Sequence, residues 1–346
     1  MSAKLVIGAN GFLGSHVTRQ LVAGAAAAAT SGGGGHDIRV MVRPNAMTIG
    51  IDDLPVTRFT GDIWDNDTLR DAMRGVEDVY YCVVDTRGWL RDPAPLFHTN
   101  VDGTRNVLEV AKNADLRKFV FTSSYVTVGR RRGHRAIEDD IIVDRGLTPY
   151  VRSRVQAENI VLQYAKEHGL PAVAMCVSTT YGGGDWGRTP HGAIIAGAAF
   201  GKLPFVMSGI ELEAVGVDDA ARALILAAER GRVGERYLIS EKMICNADVV
   251  RIAAEAAAGV PAPTKSIPLP VSYALATAGS IKAKLRGTDE RLSLGSLRLM
   301  LVEAPVDHSK AIRELAWEPR PVEESIREAA RFWVGLRDAK RKSKTG

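Results

Sequence analysis

Lys4-Leu5-Val6-Ile7-Gly8-Ala9-Asn10-Gly11-Phe12-Leu13-Gly14 decides the fold. Its apolar run ends in a glycine, the pattern of a short buried strand. From Gly11 to Ala23 the apolar positions Phe12, Leu13, Val17 and Leu21 fall at helical spacing. Strand, turn and helix thus meet at three glycines with distinct tasks. Gly8 allows the tight turn, Gly11 lets the backbone approach a ligand, and Gly14 lets helix and strand pack closely. With Asn10, Phe12 and Leu13 they frame a helix N-terminus whose free N–H groups and dipole favour a pyrophosphate. The spacing is GxxGxxG, not the GxGxxG dinucleotide fingerprint.

Outward from this turn, strand-like runs alternate with helical patterns. Strands are expected at Ile38–Val42, Val56–Phe59, Val79–Val84, Phe119–Ser123 and Ala172–Val177. Helices are expected at Asp67–Arg74, Val101–Asn113 and Tyr150–Lys166. Such alternation implies βαβ units, hence an α/β, doubly wound parallel sheet of the Rossmann type. The alanines at 25–29 can lengthen the first helix, whereas Gly32–Gly35 cannot and read as a surface loop. Beyond about residue 180 the regularity weakens. Helices are expected at Val217–Arg230, Ala247–Ala258, Asp307–Leu315 and Val322–Leu336, with a strand at Arg236–Ile239. Pro261, Pro263, Pro268 and Pro270 mark a loop running to Leu275, whose Leu269, Val271, Tyr273 and Leu275 suit an apolar lid. The expected organisation is a cofactor domain over residues 1–175, with segments around 210–250 returning to it. A smaller C-terminal substrate-binding domain follows over 176–336, then a basic tail over 337–346.

The chain has 346 residues, 46% hydrophobic and 25% charged, an ordinary globular balance. The net charge of +5 owes part of its excess to Lys340, Arg341, Lys342 and Lys344, read as a solvated face rather than a nucleic-acid site. Cys82, Cys176 and Cys245 are sparse, odd in number and lack metal-ligand spacing, so reduced thiols, a cytoplasmic location and no metal are expected. No signal peptide and no integral membrane segment is evident.

At the end of the second strand, where an NAD-type acidic residue would stand, the sequence has Arg43. An arginine there can pair with a 2′-phosphate, so NADP(H) is favoured, with NAD(H) the alternative. Gly61-Asp62-Ile63 follows the third strand and places Asp62 for an adenine amino group. Phe121-Thr122-Ser123-Ser124 ends the fifth strand, where open α/β sheets bind ligands and a serine hydroxyl can meet a carbonyl oxygen. Tyr150 and Arg154 are four apart on one helix and share a face. A phenol titrates near about 10. A neighbouring cation favours its phenolate, fitting Tyr150 as acid for ketone reduction and base for alcohol oxidation.

Together with Asn100-Val101-Asp102-Gly103-Thr104 and Val217-Asp218-Asp219-Ala220, these motifs resemble the extended short-chain dehydrogenases/reductases, in their dihydroflavonol-4-reductase-like and 3β-hydroxysteroid-dehydrogenase-like branch. The resemblance covers nearly the whole chain. It implies a triad of Ser124, Tyr150 and a lysine four residues after the tyrosine, Ser123 being the neighbouring alternative. That lysine position holds Arg154. The charge is kept, but a proton relay through a lysine amine is lost. Three readings stay open: a working enzyme, a slow or specialised one, and a binding protein that kept the fold. The family further implies that Asn100, Thr122, Val83, Val84, Val177 and Thr179 lie along the cofactor. It implies that Asp85, Tyr181, Trp186 and His191 line a substrate cleft, His191 serving as a second acid or as a structural histidine. The implied reaction is hydride transfer between NADP(H) and a bulky, mostly apolar ketone, aldehyde or secondary alcohol. A nucleotide-sugar epimerase or dehydratase is the rival reading. A homodimer through the Tyr150 helix is the partner that relatives imply.

Overall fold

The computed structural model describes residues 3–30, 36–130, 133–143, 146–257, 259–301 and 305–345. Its strands are β1 (Ala3–Ile7), β2 (Asp37–Val42), β3 (Thr57–Thr60), β4 (Val76–Tyr81), β5 (Lys118–Ser124), β6 (Ala172–Val177), β7 (Thr179–Tyr181), β8 (Val206–Met207), β9 (Glu211–Gly216), β10 (Arg236–Ile239), β11 (Lys242–Cys245) and β12 (Ser266–Ile267). Its helices are α1 (Phe12–Thr30), α2 (Asn66–Met73), α3 (Ala94–Phe97), α4 (Thr104–Ala111), α5 (Pro149–His168), α6 (Pro190–Ala199), α7 (Val217–Arg230), α8 (Asn246–Ala256), α9 (Leu269–Arg286), α10 (Leu294–Met300), α11 (Ser309–Leu315) and α12 (Val322–Thr345).

Seven strands form one parallel sheet in the order β10-β6-β5-β4-β1-β2-β3. The order reverses between β1 and β4, and such a switch point is where ligands of doubly wound sheets bind. Both faces are covered, which explains why the strands read as unbroken apolar runs. Leu5 and Ile7 point to the side of α2, α4 and α5, packing with Leu69, Leu108 and Val161. Val6 points to the other side, with Val17 of α1, Leu224 of α7 and Trp317. A three-stranded sheet, β11-β9-β7, and α6, α8 and α12 enclose a further core around Tyr181, Leu212, Ile252 and Trp333.

Four expectations need correction. The fourth strand ends at Tyr81, so Cys82–Val84 are the mouth of the sheet rather than its interior. The 98–113 stretch opens with a π-helical turn, His98–Gly103, before α4. The supposed loop from Pro261 to Leu275 becomes α9 at Leu269, because Pro268 caps the helix and Pro270 lies in its first turn, where a missing N–H is harmless. The basic residues Lys340–Lys342 continue α12 instead of forming a separate tail. The alanines at 25–29 do extend α1, while Gly32–Gly35 lie outside the described residues.

Candidate active site

The turn after β1 has the conformation its glycines require. Gly8 sits at φ +83°, a region that penalises a side chain, and its N–H donates to Met41. A Cβ on Gly14 would run into the Gly8 carbonyl, so the helix can approach the strand only without one. Gly11 is exposed, and α1 carries no acidic side chain in its first turn to compete for the free N–H groups. Val83 packs under Gly8. Gly14→Ala is expected to lower the thermal midpoint, since overpacking of this kind costs ~1–3 kcal/mol. It should also weaken binding of a nicotinamide dinucleotide, and thermal unfolding with and without NADPH reads both effects.

Along the sheet edge, Arg43 is exposed at the end of β2, close enough to Asp85 to act on its charge. Asp62 is half-buried after β3. Ile63 turns inward, packing on Gly103 while its carbonyl accepts from Asn106 Nδ2.

The reactive cluster gathers at the ends of β4 and β5 and the start of α5. Thr148 caps α5 by accepting from the Val151 N–H, and Pro149 opens the helix, which fixes Tyr150 in the first turn. Ser124 hydrogen-bonds the Tyr150 side chain. Ser123 instead donates to Glu158 Oε2 at 2.5 Å, in a buried network with Thr127, Cys176 and Arg236. Of the two serines, only Ser124 is therefore engaged with the tyrosine in this arrangement. Burial pushes the Tyr150 phenol above its ordinary range, and the Arg154 charge and the Ser124 hydrogen bond pull against that rise.

Arg154 is 1% exposed. Its Nη2 donates to the Thr122 carbonyl at 2.5 Å, and its guanidinium lies 5.2 Å from the centre of the Phe121 ring. Its Nε and Nη1 are buried and have no partner among the described residues. Buried donors without acceptors are costly, so these two nitrogens mark a place where acceptors belong.

Asn100 directs its amide inward rather than to an open cleft. It accepts from the Asp85 N–H at 2.7 Å and donates to the Asp85 carbonyl and to Ser153 Oγ, both at 3.0 Å. Ser153 in turn donates to the Tyr150 carbonyl. Asn100 is thus a positioning residue that ties the loop after β4 to the Tyr150 helix, and the π-helical turn presents it. Asp85 is held by Arg87 at 2.6 Å. Burial works against its charge, but the Arg87 guanidinium wins and holds the carboxyl below its ordinary value. Gly88 lies against Tyr150 and against Leu299 of α10.

The other expected cleft residues have different neighbours. Tyr181 is buried and meets His191 edge-on at 6.1 Å. Burial pushes the His191 imidazole down to about 4, so it is neutral at physiological pH and not a cationic acid. Trp186 packs on Phe332 at 4.9 Å and against Gly50 beside Ser15 of α1. Val177 is buried at the end of β6 and Thr179 is half-buried in β7. Arg87, Ser153 and Leu299 were not anticipated. The Asp85-Thr86-Arg87 charge pair is readable in the sequence, but a contact 211 residues downstream, that of Leu299 with Gly88, leaves no local signal.

A family model described as the NAD dependent epimerase/dehydratase family matches residues 4–240. The chain belongs to this family. Over 337 residues it is 28% identical to a putative dihydroflavonol 4-reductase of Synechocystis sp., covering 95% of this chain and 93% of the relative. It is 28% identical to sterol demethylase protein B of Methylococcus capsulatus, covering 95% and 97% of the two chains. The crystal structure of gox2253 superposes with a TM-score of 0.82 at 31% identity, covering 97% and 99%. Dehydratases also match, so membership in the epimerase/dehydratase family fixes nicotinamide-dependent oxidoreductase chemistry and not the substrate. The residues present fit such a cofactor. The Gly8–Gly14 turn would hold its pyrophosphate, and the orphaned Arg154 nitrogens are donors suited to ribose hydroxyls.

Proposed function

We propose that this chain is an NADP(H)-preferring reductase of bulky, apolar ketones or aldehydes, running reversibly with the secondary alcohol. The observation that supports it best is the Ser124–Tyr150–Arg154 cluster, with two hydroxyls hydrogen-bonded to each other and a buried cation beside them. Bound nicotinamide supplies or accepts the hydride. Ser124 holds the carbonyl oxygen. Tyr150 gives that oxygen its proton during reduction and takes it back during alcohol oxidation. Arg154 favours the phenolate left behind. Asn100 and Ser153 keep Tyr150 in register with the loop at Asp85. The apolar surroundings of Tyr150, which include Val128, Ile142, Leu147 and Leu299, favour an apolar substrate. The relatives' names, a dihydroflavonol reductase and a sterol demethylase protein, point the same way.

The test is oxidation of NADPH and NADH, followed by absorbance, over a panel of flavonoid, steroid and aliphatic ketones and aldehydes. Turnover with apolar ketones supports the reading. A tightly held, non-exchanging cofactor without turnover on any carbonyl would replace it with an epimerase or dehydratase. Exposed Arg43 carries the NADP preference in this reading. Arg43→Ala should lower the ratio of kcat/KM for NADPH over NADH by about tenfold to hundredfold, the loss of one charge-assisted hydrogen bond of roughly 1.5–3 kcal/mol. An unchanged ratio would remove Arg43 from cofactor selection.

A further inference from the structure

The helix α9 is inside out. An amphipathic helix on a globular protein normally buries its large apolar side chains. The residues that α9 buries are Ser272, Ala276 and Ala283, all small. Gly279 continues that stripe, and a Cβ there would collide with the Leu292 carbonyl, so small residues back the helix closely onto the segment leading into α10. The large apolar residues face outward instead. Val271 is 42% exposed, Leu275 40%, Ile281 55% and Leu285 81%, with Tyr273 and Leu292 flanking them. At about 100° per residue Val271, Leu275, Ile281 and Leu285 fall within an arc of about 120°, with the exposed Ala274 and Ala278 between them, so these side chains share one broad face rather than being scattered.

The charges on this helix have one sign. Between Leu269 and Arg286 there is no Asp or Glu, and Lys282, Lys284 and Arg286 cluster at the C-terminal end. Lys282 is paired with Glu290 at 2.6 Å. Lys284 and Arg286 are exposed and have no acidic partner among the described residues. An exposed apolar stripe edged by unpaired cations matches the interface of an anionic bilayer, where the apolar side chains enter the acyl boundary and the cations meet headgroup phosphates. A second copy of the chain is a poorer occupant, because a two-fold interface would set this cationic helix against itself. No described helix is long and apolar enough to cross a membrane, so the contact is one of lying on the surface.

We propose that α9 docks this protein peripherally on an anionic lipid surface through Val271, Leu275, Ile281 and Leu285, with Lys284 and Arg286 on the headgroups. The α10 helix joins that face to the site, since Leu299 meets the Gly88 that lies against Tyr150. Docking would therefore bring the cleft close to a reservoir of apolar substrate. That consequence rests on the reductase reading; the docking itself does not.

The experiment is co-sedimentation of the full chain with vesicles of phosphatidylcholine alone and of equal parts phosphatidylcholine and phosphatidylglycerol, with oligomeric mass measured by light scattering. The wild type is expected to sediment with the phosphatidylglycerol vesicles. Ile281→Glu combined with Leu285→Glu should weaken that binding by about tenfold or more, since both residues are solvent-facing and their change leaves the fold intact. Lys284→Glu with Arg286→Glu should remove the preference for the anionic vesicles. Turnover of a water-soluble ketone is read in parallel and should not move in either variant, which separates failure of docking from failure of the catalytic assignment. Absence of wild-type binding to either vesicle, or equal binding by the Ile281→Glu/Leu285→Glu variant, would overturn the proposal. So would a wild-type dimer that this variant converts to monomers, because the face would then belong to a second copy.

Discussion

Tyr150→Phe is expected to lower kcat for carbonyl reduction by about 10²–10⁴-fold, the usual contribution of a positioned proton donor. The substitution removes one oxygen from a residue fixed by the Thr148 cap and by packing on the buried cluster of Tyr125, Val126, Val128 and Val151. The ring, the helix and the Gly88 contact all stay, so the thermal midpoint and NADPH binding should change little. Ser124 cannot replace the lost acid. An aliphatic hydroxyl gives up its proton far less readily than a phenol. The checks are single-substrate kinetics by nicotinamide absorbance and cofactor titration by fluorescence quenching. A variant that binds NADPH normally and turns over near the wild-type rate would take the proton donor's role away from Tyr150. A variant that loses cofactor binding as well would mean that the phenol supports the site structurally.

The parts of this site that sequence reading reached are those whose chemistry is local. The Gly8–Gly14 turn, the Ser124 strand end and the Tyr150/Arg154 pair each lie within one strand–turn–helix or one helical turn. Spacing alone then sets which side chains share a face. The parallel sheet was equally legible, because burial on both faces makes Leu5-Val6-Ile7 and Ala172–Val177 apolar without interruption. The α9 helix escaped because four prolines precede or open it, and two of them occupy positions where proline is compatible with a helix. Its outward apolar face also imitates the composition of a lid. The small sheet escaped because β9 carries Glu213 in its interior, satisfied by Ser240 and the Val306 N–H, contacts that no local pattern announces. The partners of Asn100 are likewise illegible in the local sequence. Its amide is consumed by Asp85 and Ser153, which lie 15 residues before it and 53 after it.

Arg154→Met should shift the pH dependence of alcohol oxidation to higher pH and lower its rate near neutrality by about 10²–10³-fold, the loss typical of a preorganised charge in an enclosed site. In that direction the phenolate of Tyr150 is the base, so the rate climbs as pH approaches the phenol's pKa from below. Burial raises that pKa, and the Arg154 cation and, after it, the Ser124 hydrogen bond lower it. Methionine fills a similar volume without the charge, leaving burial opposed only by the Ser124 hydrogen bond. The pKa rises, and the ascending limb of kcat against pH moves to the alkaline side. KM for the nicotinamide cofactor should rise as well, since the Nε and Nη1 donors disappear. Arg154→Lys restores a cation but not a planar fork. It should bring the limb back towards the wild-type position while leaving part of the KM increase, because an ammonium cannot reproduce both orphaned donors and the Thr122 hydrogen bond at once. Recovery of the limb without recovery of KM would separate the electrostatic role of residue 154 from its cofactor-holding role. An unshifted limb in Arg154→Met would show that the guanidinium does not act on Tyr150. The buried cation would then be explained only by its Thr122 carbonyl and Phe121 ring contacts, which are structural.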